Sequence, residues 1–241
     1  MNFEEYYISA SSAFIENGLP NLLTKEKAKK LFDFSNFLIE TNKITNLTAI
    51  LDESEILLKH IIDSATVSPF IESNSHLIDI GCGAGFPSIP LAILRDDIQI
   101  TALDSTGKKI DFVLAAANML QLNNLTAVCA RAEEFVSDHR EAFDVSVSRA
   151  VSRLNILSEL SLPLVKVGGK FIAMKSNKGK EEYDESKSGI SILGGRLASV
   201  SEHSLSYGNI SISRGIYIFE KKSHSPANYP RKYAQILKKP L

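Results

Sequence analysis

The stretch His76 to Leu94, HLIDIGCGAGFPSIPLAIL, constrains the fold of this chain more than any other. A short apolar run (Leu77, Ile78, Ile80) carries Asp79 and ends at Gly81; Gly83 and Gly85 follow at every second position, and a helical pattern then begins. The spacing predicts a strand, a glycine loop and a helix. Glycine serves where backbone takes φ > 0 or where a ligand must come closer than a Cβ permits, and a helix start points unpaired N–H groups toward such a loop. A plain turn needs neither three glycines nor the flanking acid and proline, so the stretch is expected to cradle a small molecule.

The spacing also bears on which molecule. A dinucleotide fingerprint places glycines at i, i+2 and i+5, whereas here the last of these positions is Phe86, which disfavours a nicotinamide cofactor. Asp79-x-Gly81-x-Gly83-x-Gly85 looks instead like the first motif of the Rossmann-like S-adenosylmethionine (SAM) methyltransferases, whose loop wraps the methionine end of the cofactor. On that likeness Asp79 organises the loop and receives the cofactor's charged amine side, and Gly81, Gly83, Gly85, Phe86 and Pro87 form the cradle.

Strands alternate with helices from His76 onward, predicting a parallel sheet covered on both faces, with strands at 76–80, 98–103, 125–129, 143–147 and 170–175. Alternating patterns at 197–205 and 210–219 read as a closing antiparallel pair, and the polar stretch 177–188 as a loop or surface helix. Asp104 ends the second strand, where α/β nucleotide folds hold ribose hydroxyls with a carboxylate; the same residue could simply cap the helix expected over 107–121. Ser105 follows it. Ala132 and Glu133, after the third strand, stand where backbone and a carboxylate could meet an adenine edge. Upstream of residue 64 the periodicity is helical, over 2–16, 25–42 and 53–64, the second helix capped by Thr24. The Asn42 to Ile50 segment between them reads as capping and turn residues. The expected organisation is an N-terminal helical segment (1–70), a Rossmann-like core (71–220) and a basic C-terminal tail (221–241).

The formal net charge is −1, so a polyanion could be held only by local clustering. Residues 221–241 supply one, with Lys221, Lys222, Arg231, Lys232, Lys238 and Lys239, no acid, and Tyr229 and Tyr233 interleaved. Such a tail could grip phosphate and stack on bases. Cys82 and Cys129 lack metal-ligand spacing, which argues against structural zinc and a disulfide framework. Neither a signal peptide nor an apolar run of membrane-spanning length occurs, so a cytoplasmic monomer with no membrane partner and no metal is expected.

Methyl transfer needs a nucleophile in line with the sulfonium methyl. The Asn/Asp-Pro-Pro-aromatic stretch that accompanies exocyclic-amine methylation is absent after the fourth strand, where Ser148-Arg149-Ala150-Val151 stands, and neither cysteine is placed for covalent attack on a pyrimidine. A lone-pair nucleophile such as guanine N7 needs positioning rather than a base. A hydroxyl target with a lysine base stays open on these residues.

Taken together, Asn46-Leu47-Thr48-Ala49-Ile50, His60 with Asp63-Ser64, Asp79 to Pro87, Leu103-Asp104-Ser105 with Lys108, Arg131-Ala132-Glu133, Ser148-Arg149-Ala150-Val151 and Tyr229-Pro230-Arg231-Lys232 with Lys239-Pro240-Leu241 identify a likeness over nearly the whole chain. The chain resembles the RsmG (GidB) family of bacterial small-subunit ribosomal RNA methyltransferases, which methylate N7 of a guanine in 16S rRNA. The resemblance implies a class I SAM-dependent methyltransferase fold, with Gly81, Phe86, Ala132 and Glu133 lining the SAM pocket and Arg149 at the cofactor and target site. It implies that Asn46, His60 and Asp63 close over that site, and that Asn46, His60, Lys108, Arg231, Lys232 and Lys239 face the RNA. Ala234 and Ile236 replace a glycine and a proline usual in the family's tail, and Ser88 a frequent glycine. A ribosome-assembly factor that holds SAM only as a structural ligand is the alternative.

Overall fold

Strand β1 (His76–Ile80) lies inside the sheet, paired in parallel with β2 (Gln99–Asp104) on one side and β4 (Phe143–Arg149) on the other. The computed structural model describes residues 1–176 and 178–241; Asn177, which begins the polar stretch expected as a loop or surface helix, lies outside the described residues. β3 (Leu125–Cys129) pairs in parallel with β2, and β5 (Val165–Lys175) with β4. The expected antiparallel pair is the long hairpin β6 (Gly195–Tyr207) and β7 (Ile210–Lys221), with β7 against β5. The seven strands run β3-β2-β1-β4-β5-β7-β6. Chain order reverses between β1 and β4, so the loops leaving their C-terminal ends diverge and open a crevice, the place where open α/β sheets take ligands.

Helices α1 (Phe3–Glu16) and α2 (Lys25–Thr45) cover one face together with α5 (Ser88–Leu94) and α6 (Gly107–Leu120). Asn2 and Glu5 close a reciprocal capping box at the start of α1, and Thr24 accepts the Lys27 N–H at 3.2 Å at the start of α2. Fully buried Phe34 of α2 packs against Phe86 and Phe112, at ring separations of 5.3 and 6.3 Å, which fastens the N-terminal helices to the glycine loop and to α6.

The helix expected over 53–64 is not uniform. It runs as α3 (Glu53–Ile56), a π-helical stretch over Leu57–Ile62, and α4 (Asp63–Ala65). A π segment widens the turn and often marks a functional position. Here the Lys59 carbonyl, His60 and Asp63 all meet the end of β4.

Helices α7 (Ala132–His139) and α8 (Leu154–Ser161) cover the other face, with α9 (Gly179–Ile192) over the β5-β7 part of the sheet. The C-terminal residues were expected as a basic tail. Instead Lys221 is the last residue of β7 and is fully buried, and a final helix, α10 (Tyr233–Lys238), inserts Ile236 among Ile80, Leu103 and Leu160. The charge pattern conceals this because α10 buries a single residue, Ile236, and leaves Lys238 and the flanking Lys232 and Lys239 in solvent.

Candidate active site

A cavity of about 450 Å³, ordinary for a small-molecule site, opens at the crevice between β1 and β4. Its floor is the glycine loop. The Gly81 and Cys82 N–H groups both donate to the Leu103 carbonyl at the end of β2, at 2.7 and 3.0 Å, so the loop is tied to the neighbouring strand. Gly81 has φ +72°, and a Cβ there would come within 2.5 Å of Val151 Cγ2. Close approach of the β4–α8 loop thus demands glycine. Gly83 also has a positive φ, +57°, but a Cβ on it would meet no atom within 4 Å, because it faces the cavity itself. The first glycine serves packing and the second leaves room for a ligand.

One end of the cavity lies beyond β2 and β3. Asp104 is buried there and accepts the Gly83 N–H at 3.1 Å with Oδ2 and the Thr106 N–H at 2.9 Å with Oδ1, with Lys109 Nζ 3.6 Å away. Each oxygen keeps acceptor capacity for a diol. Asp104 does not cap α6 in the ordinary way: the N-cap is Thr106, without a side-chain cap bond. Ser105, Ala132 and Glu133 complete this end, together with Arg131, whose Nε donates to Glu133 Oε1 at 2.7 Å, and Tyr233.

The opposite end is walled by Thr48, His60, Phe86 and Arg149. The Arg149 guanidinium donates to the Lys59 carbonyl at 2.8 Å and to Asp63 Oδ2 at 3.0 Å, and its carbon lies 5.1 Å from the centroid of the Phe86 ring. Asp63 is itself shared with Arg214, whose Nε donates to Oδ1 at 3.1 Å. Arg149 Nη2 is 3.2 Å from His60 Nδ1; guanidinium has only donors, so Nδ1 accepts and the proton sits on Nε2, which donates to Thr48 Oγ1 at 3.0 Å. Burial, reinforced by the Arg149 charge, lowers the His60 pKa from 6.5 to about 3. Burial also lowers the Arg149 pKa, with Asp63 opposing.

Asp79 stands behind the loop rather than in the cavity wall, as do Gly85 and Pro87. Its Oδ2 accepts both the N–H and the hydroxyl of Ser88, at the first residue of α5. The first N–H of that helix is therefore turned inward to the protein's own carboxylate, and the Ile89 N–H goes to the Gly85 carbonyl. Asp79 organises the loop, and its Oδ1 has no partner among the described residues. Burial raises its pKa from 3.8 to about 7, against the bonds from Ser88.

The expected RNA-facing residues separate into two groups. Asn46, Lys108, Lys232 and Lys239 are exposed. Asn46 ends α2 in a left-handed conformation, and Lys108 Nζ lies 3.3 Å from the Thr45 carbonyl. Arg231 and His60 need correction. Arg231 Nε and Nη2 grip the two oxygens of fully buried Glu159, at 2.9 and 2.6 Å, and its backbone N–H adds a third bond, so its charge is spent inside the fold. His60 carries no charge for phosphate and has both ring nitrogens engaged. Lys221 Nζ, likewise, is held by the Leu162 carbonyl, Ser225 Oγ and Glu141.

Sequence reading gave Tyr233 to RNA bases, placed Thr48 only within the segment implied to close over the site, and did not assign Lys109 or Asn42 to the site. Asn42 accepts the Leu47 and Thr48 N–H groups and donates to the Thr48 carbonyl at 2.8 Å, which folds the Asn46 to Ile50 segment over the cavity. Its position at the head of that polar segment was the available signal.

No helix among the described residues is long and apolar enough to cross a membrane, and no cluster of three or more metal-ligating side chains occurs among them. The chain is 44% identical over 227 residues to the ribosomal RNA small subunit methyltransferase G of Staphylococcus carnosus, covering 92% of this chain and 94% of that one. To its namesake in Clostridium beijerinckii it is 41% identical over 223 residues, covering 91% and 92%. Among solved structures, M. jannaschii TYW2 in complex with AdoMet superposes with a TM-score of 0.53 at 14% identity, over 67% of this chain and 76% of that one, a likeness of fold. The family model described as rRNA small subunit methyltransferase G (GidB) matches residues 27–210, and the chain belongs to that family.

Proposed function

We propose that this protein is a SAM-dependent methyltransferase acting on N7 of a guanine in small-subunit ribosomal RNA, with the cofactor in the cavity between β1 and β4. The cavity fits such a cofactor on two counts: Gly83 leaves open the space a Cβ would fill, and Asp104 offers a fixed carboxylate at the end of β2. Asp104 would hold the ribose hydroxyls, with Ala132 and Glu133 beside the adenine; Gly81, Gly83 and Phe86 would contact the methionine portion. When bound, SAM supplies an electrophilic methyl on a sulfonium.

The observation that carries the choice of acceptor is the His60–Arg149 end. A base would have to accept a proton there, yet the His60 Nδ1 lone pair is taken by Arg149 and its Nε2 proton by Thr48. Arg149 cannot serve as a base. The lysine in the wall, Lys109, pairs with Asp104 at the other end. An end of the cavity whose described side chains offer no free base suits a nucleophile that needs none, and guanine N7 presents its lone pair directly. The residues contribute alignment and water exclusion.

The test is transfer of labelled methyl from SAM to small ribosomal subunits from cells lacking the protein, with aniline cleavage after borohydride to map N7-methylguanine. A single cleavage site is expected. SAM binding with no transfer would favour the assembly-factor reading instead.

A further inference from the structure

Two benzenoid rings face the cavity, Phe86 from the glycine loop and Tyr233 from the last turns of the chain. Tyr233 opens α10, and three sets of contacts fix how α10 reaches the site. Arg140 of the α7–β4 connection donates to the carbonyls of Tyr229, Ser225 and Pro226, at 2.8, 2.9 and 2.9 Å. Arg231, two residues before the ring, is clamped to Glu159, and Glu159 precedes Leu160, which itself lines the cavity. Arg131 closes the arrangement, with its guanidinium 4.8 Å from the Tyr233 ring centroid and its Nε on Glu133. Buried Ile236 then anchors the far side of the turn.

We propose that the C-terminal segment is part of the cofactor site: Tyr233 closes its nucleoside end, and the Glu159–Arg231 pair is the positioning device that holds the ring there. Arg231, its charge taken by Glu159, serves the cofactor only by positioning Tyr233, whereas exposed Lys232, Lys238 and Lys239 are left for other contacts. The inference rests on the reading of the cavity as a SAM site. It differs from the tail's expected role of stacking RNA bases.

The experiment is calorimetric titration of SAM into the full chain and into Tyr233→Ala, Tyr233→Phe, Arg231→Lys and Leu237→Ala, with KM for SAM, kcat and ribosomal-subunit affinity measured alongside. Leu237 is an exposed residue of the same helix and controls for general loosening of α10. Loss of the ring is expected to raise the SAM Kd about tenfold, the worth of one aromatic contact to a base. Phenylalanine should restore it to within about twofold, Arg231→Lys should fall between, and Leu237→Ala should bind as the unmodified chain. KM for SAM should rise while kcat at saturating SAM and subunit affinity hold. Should Tyr233→Ala not fold, Tyr233→Leu keeps the apolar bulk and is expected to weaken SAM by several fold. An unchanged Kd in the ring-less variant, equal weakening by Leu237→Ala, or weakened subunit binding in place of SAM binding would each overturn the proposal alone. Absence of saturable SAM binding by the unmodified chain would overturn the cofactor reading together with it.

Discussion

At the scale of single residues, His60 and Asp79 put opposite pH dependences into one site. The His60 pKa is about 3 in the fold against 6.5 for the free side chain, so below pH 6.5 the unfolded chain takes up a proton that the native state refuses. Its contribution to stability is whole above pH 6.5 and is lost as pH falls toward 3. Between pH 7.5 and 5.5 the loss amounts to about 1.4 kcal/mol. Asp79 runs the other way. Its pKa is raised to about 7, so the fold binds a proton that the unfolded chain has released above 3.8, and stability declines as pH rises from 3.8 through 7. The two slopes offset each other between about pH 4 and 6.5, and single variants separate them. Urea unfolding of His60→Gln should show a smaller loss on acidification from pH 7.5 to 5.5 than the unmodified chain. Asp79→Asn should gain stability, on the order of 2–4 kcal/mol at pH 8, with the advantage vanishing toward pH 4. Parallel pH curves for either variant and the unmodified chain would show that these groups do not titrate as the burial implies.

At the scale of elements, the glycine loop carries two different constraints that the sequence writes with the same letter. Gly81→Ala drives a Cβ into Val151 at a left-handed position and is expected to cost about 1–3 kcal/mol of stability, seen as a lowered Tm without ligand. Gly83→Ala meets no protein atom. It should cost only about 1–2 kcal/mol for the left-handed backbone, yet abolish the Tm rise expected of the unmodified chain at saturating SAM. If Gly83→Ala kept that rise, the cavity in front of Gly83 would not be where the cofactor sits. The strand–loop–helix pattern was legible because three glycines and an alternating apolar run are local signals. Other features were not local. That Asp79 caps α5 from beneath depends on Ser88 facing back under the loop, and the π-helical stretch over Leu57–Ile62 leaves no mark in a periodicity that reads as one helix. Asp104 was legible as a ribose carboxylate or a cap, and only its bonds to Gly83 and Thr106 distinguish a loop-bracing acid from a helix cap. Helix α10 was hidden by its lysines, since one buried Ile236 is too weak a period to set against a run of basic residues.

At the scale of the whole molecule, a chain of net charge −1 must hold RNA with a minority of its cations. The fold decides which. Lys221 is enclosed and its pKa lowered to about 8 by burial, Arg231 is clamped on Glu159, and Lys222 pairs with Glu220. Composition counts these three toward a basic tail, because it does not pair them with Glu159 of α8, Glu141 of the α7–β4 connection or Glu220 of β7. Lys232, Lys238 and Lys239 on the C-terminal segment, and Lys108 beside the end of α2, are exposed. Each phosphate left without its cation lowers the slope of log Kobs against log salt by about 0.7–0.9. Replacing Lys232, Lys238 and Lys239 together by alanine should therefore flatten the salt dependence of small-subunit binding by roughly two units or more, whereas Arg231→Ala should leave the slope alone and lower the Tm, because it strands buried Glu159 without its partner. Filter binding across a salt series, with unfolding monitored on the same preparations, reads both effects. A slope that falls with Arg231→Ala and stays fixed in the triple lysine variant would mean that the ion pair opens on RNA and that the C-terminal segment engages phosphate by a route the free structure does not display.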